Sequence, residues 1–255
     1  MNIDLSGKVA LITGGSRGIG VGIVEAMASA GAAVAVNYRS AAEEADQVAH
    51  RARTYGVKAI TVQADVIRPD DVDDLVKTVS AQLGPIDILV NNAGHNWLRP
   101  MMEISVEDWD RTLDLNLRSH FLASKAVLPG MIERGWGRII GNTSISGQRG
   151  GLSGDVDYSA AKAGIMGFTR CLARHVADKG ITVNAVAPGY IDTEHLASVD
   201  SILATDKLQQ LLKTIPTGRF GSVAECGAVF AFLASDYAAY ITGETVTANG
   251  GVHIA

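Results

Sequence analysis

The stretch Thr13-Gly14-Gly15-Ser16-Arg17-Gly18-Ile19-Gly20 decides the fold. Glycines 14, 18 and 20 stand between a short apolar run at 8–12 and a helical pattern at 18–30 that stops at Gly31. Glycine permits positive φ and lets a ligand approach the backbone closely. The helix that follows offers unpaired N–H groups and the positive end of its dipole. Strand, glycine turn and helix in that order make a cradle for a pyrophosphate. The spacing is G-x-x-x-G-x-G, not the commoner G-x-G-x-x-G of dinucleotide folds, so the turn draws its meaning from what surrounds it.

What surrounds it is a regular alternation. Further apolar runs lie at 33–37, 58–63, 86–90, 138–141, 181–187 and 244–248, and helical patterns at 41–54, 69–83, 105–133, 157–179 and 222–234. Alternating strands and helices imply crossover connections and a parallel sheet. The runs are continuous in Val, Ile, Ala and Leu, as a sheet buried on both faces requires. The reading is an α/β chain: one Rossmann-type doubly wound domain over 1–255, with a seven-stranded parallel sheet flanked by helices on both faces. The polar, weakly periodic segment 192–219 is expected to act as a substrate lid.

Composition narrows the function. The chain has 255 residues, 22 Lys and Arg against 27 Asp and Glu, and a formal net charge of −5. That balance argues against a nucleic-acid or anionic-membrane partner, which needs clustered basic residues. With 47% hydrophobic and 19% charged residues, a sizeable core is expected and long disorder is not. No apolar stretch reaches the ~18–20 residues of a membrane span. No basic segment followed by a long apolar run opens the sequence, so no signal peptide is expected. Cys171 and Cys226 are read as small core residues in a reducing compartment, and the expected location is cytoplasmic. His50, His120, His175, His195 and His253 do not form a metal-like cluster, and no catalytic metal is expected.

In open parallel sheets, ligands bind at the carboxyl ends of the strands. The second strand ends in Asn37-Tyr38-Arg39-Ser40. An NAD site places an acid there, on the ribose hydroxyls; this sequence has none. Arg39 is placed to grip a 2′-phosphate bidentately, Ser40 to donate to it, and Arg17 to add a second positive charge. The expected cofactor is NADP(H); the alternative is that both arginines are solvated surface groups. Tyr158 and Lys162, at i and i+4, share one helix face. Free tyrosine has a pKa of about 10, and a nearby ammonium is expected to lower it toward useful proton transfer. Ser144 is then placed to bind a substrate oxygen. The alternative is an ordinary exposed i, i+4 pair.

At this point the sequence resembles the short-chain dehydrogenase/reductase family over essentially its whole length. The motifs stand as Thr13-Gly14-x-x-x-Gly18-x-Gly20, Asp65, Asn91-Asn92-Ala93-Gly94, Asn116, Ser144, Tyr158-x-x-x-Lys162 and Pro188-Gly189. Within the family it looks most similar to 3-oxoacyl-[acyl-carrier-protein] reductases, through 180–189 and the tail segments 232–236, 241–245 and 249–251. The resemblance implies a catalytic tetrad of Asn116, Ser144, Tyr158 and Lys162, with Asn116 linking Lys162 to solvent through a water. It implies that Gly14, Ser16, Arg17, Gly18, Ile19 and Gly20 hold the phosphates, and that Asp65 and Val66 border the adenine. Asn91, Asn92, Ala93, Gly94, Pro188 and Gly189 would line the cofactor, and Ile191 and Thr193 would hold its carboxamide. Asn184 looks structural. A homotetramer is also implied. Asn91 and Asn92 have a second reading as turn stabilisers, and Asn116 as a helix-kink residue.

Two departures from the family pattern bear on substrate. One extra residue lies between Ser144 and Tyr158, which leaves Ser146 as an alternative match for the serine. Asp155 and Asp157 in that segment suggest an altered substrate mouth, less inviting to an anionic thioester carrier. His95-Asn96-Trp97 would enter the site beside the nicotinamide, with Trp97 as an apolar wall and His95 as a polar contact, unless both are loop packing. Tyr190 is a further substrate candidate. The expected activity is NADPH-dependent reduction of a ketone with Tyr158 as proton donor, on a 3-oxoacyl thioester or else a small carbonyl, sugar or polyol. A non-catalytic NADP-binding sensor is the reading from a different class.

Overall fold

The computed structural model describes residues 2–151, 155–193 and 210–254. Its strands are β1 (Val9–Ile12), β2 (Ala33–Tyr38), β3 (Ala59–Gln63), β4 (Ile88–Asn91), β5 (Gly137–Asn142), β6 (Ile181–Pro188) and β7 (Thr245–Ala248). They form one sheet in the order β3-β2-β1-β4-β5-β6-β7, and every pair is parallel. The direction of winding reverses between β1 and β4, so a crevice opens there above the strand ends.

Successive residues of each strand serve different layers, because side chains alternate across a sheet. Ala10 and Ile12 of β1 pack with Ile23, Val24 and Met27 of α1 (Ile19–Ser29), Val48 of α2 (Ala42–Arg53), and Phe230 and Leu233 of the last described helix. Val9 and Leu11 face the other way, toward Leu75 and Val79 of α3 (Pro69–Leu83) and toward Val127 and Met131 further on. Both faces are therefore apolar, which explains the unbroken hydrophobic runs. The doubly wound α/β fold read from the sequence is the one observed. Cys226 lies in this core, whereas Cys171 is exposed, contrary to its reading as a core residue.

The helical pattern at 105–133 is not one helix. It consists of α4 (Val106–Leu113), a π-helical turn at Asp114–Arg118, and α5 (Ser119–Arg134). Asn116 is the cause. Its side-chain Nδ2 donates to the Thr112 carbonyl at 3.1 Å, four residues back, where it competes with the backbone ladder. A short helix, α6 (Ile145–Arg149), follows β5. Next come α7 (Val156–Val176) and, beyond β6, α8 (Val223–Ala234). A capping box between Ser222 and Glu225 starts α8.

The glycine turn is held by α1, and α1 is held by α8. The two helices meet through glycine: a Cβ on Gly22 would lie 2.0 Å from the Val223 carbonyl oxygen, and one on Gly227 would lie 2.2 Å from that of Gly22. No side chain fits at either place. Gly227→Leu is expected to cost about 3 kcal/mol or more, by forcing the helices apart. In a thermal melt it should lower Tm by roughly 10 °C. An unchanged Tm would show that the helices separate freely and that the close contact is not required.

Candidate active site

A cleft of about 860 Å³ occupies the crevice at the β1/β4 switch point. One end is built from the glycine turn. Gly18 caps α1 at a φ of 54° and offers no side-chain acceptor, so no side chain caps the first turn of α1; the Val21 N–H bonds the Gly18 carbonyl. Gly14, Ser16, Arg17, Gly18 and Ile19 all line the cleft. Gly20 does not; a Cβ there would sit 2.3 Å from the Gly14 carbonyl oxygen, so its role is to let the turn close on itself. Arg39, Ser40, Asp65 and Val66 form the wall beside β2 and β3.

The two arginines differ. Arg17 forms an ion pair with Glu44 of α2. Arg39 is exposed and has no ion-pair partner among the described residues. Asn37, which occupies the strand end where an acid would bind ribose, is consumed by the fold. It accepts from the Gly14 N–H at 3.2 Å and donates to the Val62 and Ala64 carbonyls.

A line of hydrogen-bonded, mostly buried side chains joins this end to the other. Thr13 Oγ1 accepts from the Asn92 and Ala93 N–H groups. Asn92 Nδ2 donates to the carbonyls of Thr13 and Gly14, and Asn142 Nδ2 donates to Asn92 Oδ1 at 2.8 Å. The Asn142 carbonyl then receives Lys162 Nζ at 2.8 Å. Neither Asn37, Asn142 nor Thr13 was singled out as a site residue from the sequence. Polar residues ending apolar runs were the available signal. Asn91 faces away, donating to Ser124 Oγ at 3.2 Å. Asn184 is structural: it donates to the Ile241 carbonyl and accepts from Glu244 N–H.

Tyr158 and Lys162 lie one turn apart on α7, with Nζ 5.4 Å from the phenol ring centre. Both line the cleft, with Ala93 and Gly94 alongside. Gly94 cannot carry a side chain, since its Cβ would stand 2.6 Å from Asn116 Oδ1 and 3.2 Å from Lys162 Nζ. Ser144 caps α6, and its hydroxyl lies close enough to the Tyr158 phenol to favour its ionised form. Ser146 donates its backbone N–H to Ser144 Oγ at 3.1 Å. Asn116 is fully buried. It accepts from the His95 N–H at 3.1 Å and donates to the His95 carbonyl at 2.9 Å, so it fixes the loop after β4.

The electrostatics correct one expectation. Burial pushes the Tyr158 phenol up to about 12; the Ser144 hydrogen bond opposes this and the Asp155 charge adds to it. The same burial brings Lys162 down to about 7, so it carries only part of a positive charge near neutrality and does not depress the phenol in the chain alone. Tyr158 therefore holds its proton at neutral pH. Behind Lys162, burial and the Lys162 charge lower His120 from 6.5 to about 3. The folded chain binds this proton only near pH 3, while the unfolded chain binds it near 6.5. Between those values stability falls as pH falls, by up to about 4 kcal/mol from this group. His120→Gln is expected to flatten that decline. Urea unfolding at neutral pH and at about pH 4 measures it, and equal declines in both proteins would contradict it.

The far end of the cleft holds His95, Asn96 and Trp97. Arg111 of α4 stacks over Trp97 at 3.9 Å, and His95 meets its ring edge-on at 4.8 Å. Leu98, next in the chain, has a φ of 45°, which is strained for a non-glycine residue. Asp157 does not belong to the mouth: it is buried and accepts from Thr112 Oγ1 at 2.7 Å, tying α7 to α4. Asp155 is buried beside the cleft and accepts from Asn96 Nδ2 at 2.7 Å. Thr193 lines the cleft near Gly18. Pro188, Gly189 and Ile191 lie behind it: Gly189 packs on Asn249, and Ile191 is a core residue bridged to Gly221. Tyr190 stands near Arg149, at 3.4 Å. Most of the 192–219 segment, residues 194–209 with His195, lies outside the described residues. Among the described residues, no group of three or more His, Cys, Asp or Glu side chains is disposed to hold a metal, and no helix is long and apolar enough to cross a membrane.

Comparison with known proteins agrees with this geometry. The sequence family described as enoyl-(acyl carrier protein) reductase matches residues 14–253. A 3-oxoacyl-[acyl-carrier-protein] reductase of Synechocystis sp. is 43% identical over 97% of this chain and 98% of its own length. One from Aquifex aeolicus is 42% identical over 99% of this chain and 100% of its own. A crystal structure of a Sinorhizobium meliloti protein assigned as a short-chain alcohol dehydrogenase superposes with a TM-score of 0.93, at 37% identity, covering 99% of this chain and 98% of that one. With sheet order, cleft and sequence in agreement along nearly its whole length, the chain belongs to the short-chain dehydrogenase/reductase family.

Proposed function

We propose that this chain is an NADP(H)-dependent carbonyl reductase in which Tyr158 gives the proton to the carbonyl oxygen. The observation that carries the reading is the half-buried, protonated Tyr158 near Ser144, in the same cleft as Arg39, which has no ion-pair partner among the described residues. The donor set suits NADP(H): uncapped N–H groups at the start of α1 suit a pyrophosphate, and Arg39 with Ser40 suits a 2′-phosphate. Asp65, Val66, Asn92, Ala93 and Gly94 would border the dinucleotide, with Pro188, Gly189, Ile191 and Thr193 toward its nicotinamide end. The chemistry it supplies when bound is hydride transfer.

The protein does the rest. Ser144 hydrogen-bonds the substrate oxygen and stabilises the charge that develops on it. Tyr158 releases its proton to that oxygen. Lys162 is held by the Asn142 carbonyl, one helical turn from the phenol. Asn116 acts by holding the His95 backbone and by packing against Gly94; both of its amide atoms are engaged there.

For the substrate, relatives named as 3-oxoacyl-[acyl-carrier-protein] reductases favour a 3-oxoacyl thioester. Asp155, a carboxylate beside the phenol, favours a second reading, a hydroxylated carbonyl compound or polyol. We also propose a single domain over 1–255 with a closing segment at 192–219, a homotetramer, and a cytoplasmic setting. Initial rates with acetoacetyl-CoA, ketoses and diketones, each with NADPH, separate the substrates. Dominant thioester turnover supports the first reading, and turnover confined to hydroxylated carbonyls supports the second. No carbonyl reduction at all would overturn the function.

A further inference from the structure

Among the described residues, four cations line the cleft: Arg17, Arg39, Lys162 and Arg111. Arg17 and Arg39 stand at the phosphate end, and Lys162 donates to the Asn142 carbonyl. Arg111 belongs to the other end, with His95, Asn96 and Trp97. It is exposed, and it donates no hydrogen bond and forms no ion pair among the described residues. Its own helix offers it an acid. Glu107 and Arg111 lie at i and i+4, acid first, the favourable order for an ion pair on a helix surface. That pair is not formed, and the guanidinium lies over the Trp97 ring at 3.9 Å instead. Two other acids of this region are taken: Asp108 by Arg99, and Asp114 by Arg118.

Trp97 fixes the cation in place. A guanidinium is planar and weakly hydrated, so it rests on an aromatic face and keeps its N–H edge for a second partner. Trp97 is itself held. His95 meets its ring edge-on at 4.8 Å, and Asn116 binds both the N–H and the carbonyl of His95. The same helix is tied to the reacting end: Thr112, next to Arg111, donates to Asp157, next to Tyr158, at 2.7 Å. A positive charge with uncommitted donors therefore stands on the wall of the cleft that holds the phenol. The fork of N–H groups on a guanidinium matches the paired oxygens of a carboxylate or phosphate.

We propose that Arg111 is a specificity-determining residue that binds an oxoanion carried by the substrate, so that the preferred carbonyl compounds are anionic. This rests on the reading that Tyr158 protonates a carbonyl. Trp97 is a positioning residue, since it acts through the guanidinium. The oxoanion has two sources, a carboxylate on the carbonyl compound itself or a phosphate on a thioester carrier.

The test uses pairs that share the reacting ketone and differ in charge. 3-Oxobutanoate, 4-oxopentanoate and 5-oxohexanoate are each compared with their methyl esters, and acetoacetyl-CoA with acetoacetyl-N-acetylcysteamine, using NADPH and the intact chain. The unmodified protein is expected to favour the charged member of at least one pair by roughly tenfold in kcat/KM, mainly through KM. Arg111→Ala should bring that ratio to within about twofold of one. Arg111→Lys keeps the charge without the fork and should retain part of the preference. Trp97→Phe should retain it and Trp97→Leu should lose it. A preference confined to the oxo acids identifies a carboxylate, and one confined to the CoA thioester identifies the carrier phosphates. Ligand-observed NMR on every pair, with NADP+ present, reads binding without turnover: the charged member should bind more tightly, and Arg111→Ala should remove the difference. If neither readout shows a preference for charge, or the preference survives Arg111→Ala, the proposal is wrong and the reductase reading stands. If no carbonyl is reduced, the reductase reading falls, and the NMR comparison alone decides whether Arg111 binds the anion.

Discussion

Tyr158→Phe is expected to lower kcat/KM by at least about a thousandfold, equivalent to about 4 kcal/mol of transition-state stabilisation. The substitution removes one oxygen and leaves the half-buried ring in place. The phenol near Ser144 holds its proton firmly at neutral pH, since burial pushes it to about 12. Ser144 can stabilise charge on the substrate oxygen but has no base to recharge it among its described contacts. NADPH affinity should stay within about threefold, because the phosphate end of the cleft lies at β1 and β2, away from α7. Steady-state rates and NADPH fluorescence titration on the same preparation check both halves. Near-normal turnover would remove Tyr158 from the mechanism.

Arg39→Glu is expected to reverse the choice of dinucleotide, cutting kcat/KM with NADPH by roughly a hundredfold while NADH holds or improves. Arg39 is the cation at the β2 end without an ion-pair partner among the described residues; Arg17 is engaged by Glu44. A guanidinium meets a phosphate with two parallel hydrogen bonds, and a carboxylate in its place repels it. The carboxylate would also supply the acceptor that ribose hydroxyls use in NAD sites. Added salt should weaken NADPH binding to the unmodified protein more than NADH binding. An unchanged NADPH/NADH ratio in Arg39→Glu would place the 2′-phosphate elsewhere.

The sheet was legible in the sequence because its strands are buried twice and read as unbroken apolar runs. The glycine turn was legible because its chemistry is local: three glycines, a strand before them and a helix after. Tyr158 and Lys162 were legible because helical spacing alone places them on one face. What was not legible depends on contacts far apart in the chain. Asn37, Asn92 and Asn142 form a line across three strands only once the sheet order is known. The π turn at Asn116 follows from a hydrogen bond to Thr112 and the pull of the His95 loop. Asp155 and Asp157 are two residues apart and looked equivalent. Yet one is claimed by Thr112 and the other is left half-paired at the substrate end. The direction of the Tyr158 pKa was also beyond the sequence. Spacing places an ammonium nearby but does not reveal that burial drains charge from that ammonium as well.

The most direct measurement is stoichiometric. The purified chain is incubated with NADPH and each carbonyl of the panel, and both NADPH loss and the alcohol formed are quantified. The account predicts one alcohol formed per NADPH consumed, in the unmodified protein and not in Tyr158→Phe. NADPH bound tightly with no alcohol formed from any carbonyl would contradict it, and would leave a dinucleotide-binding protein that does not turn its ligand over.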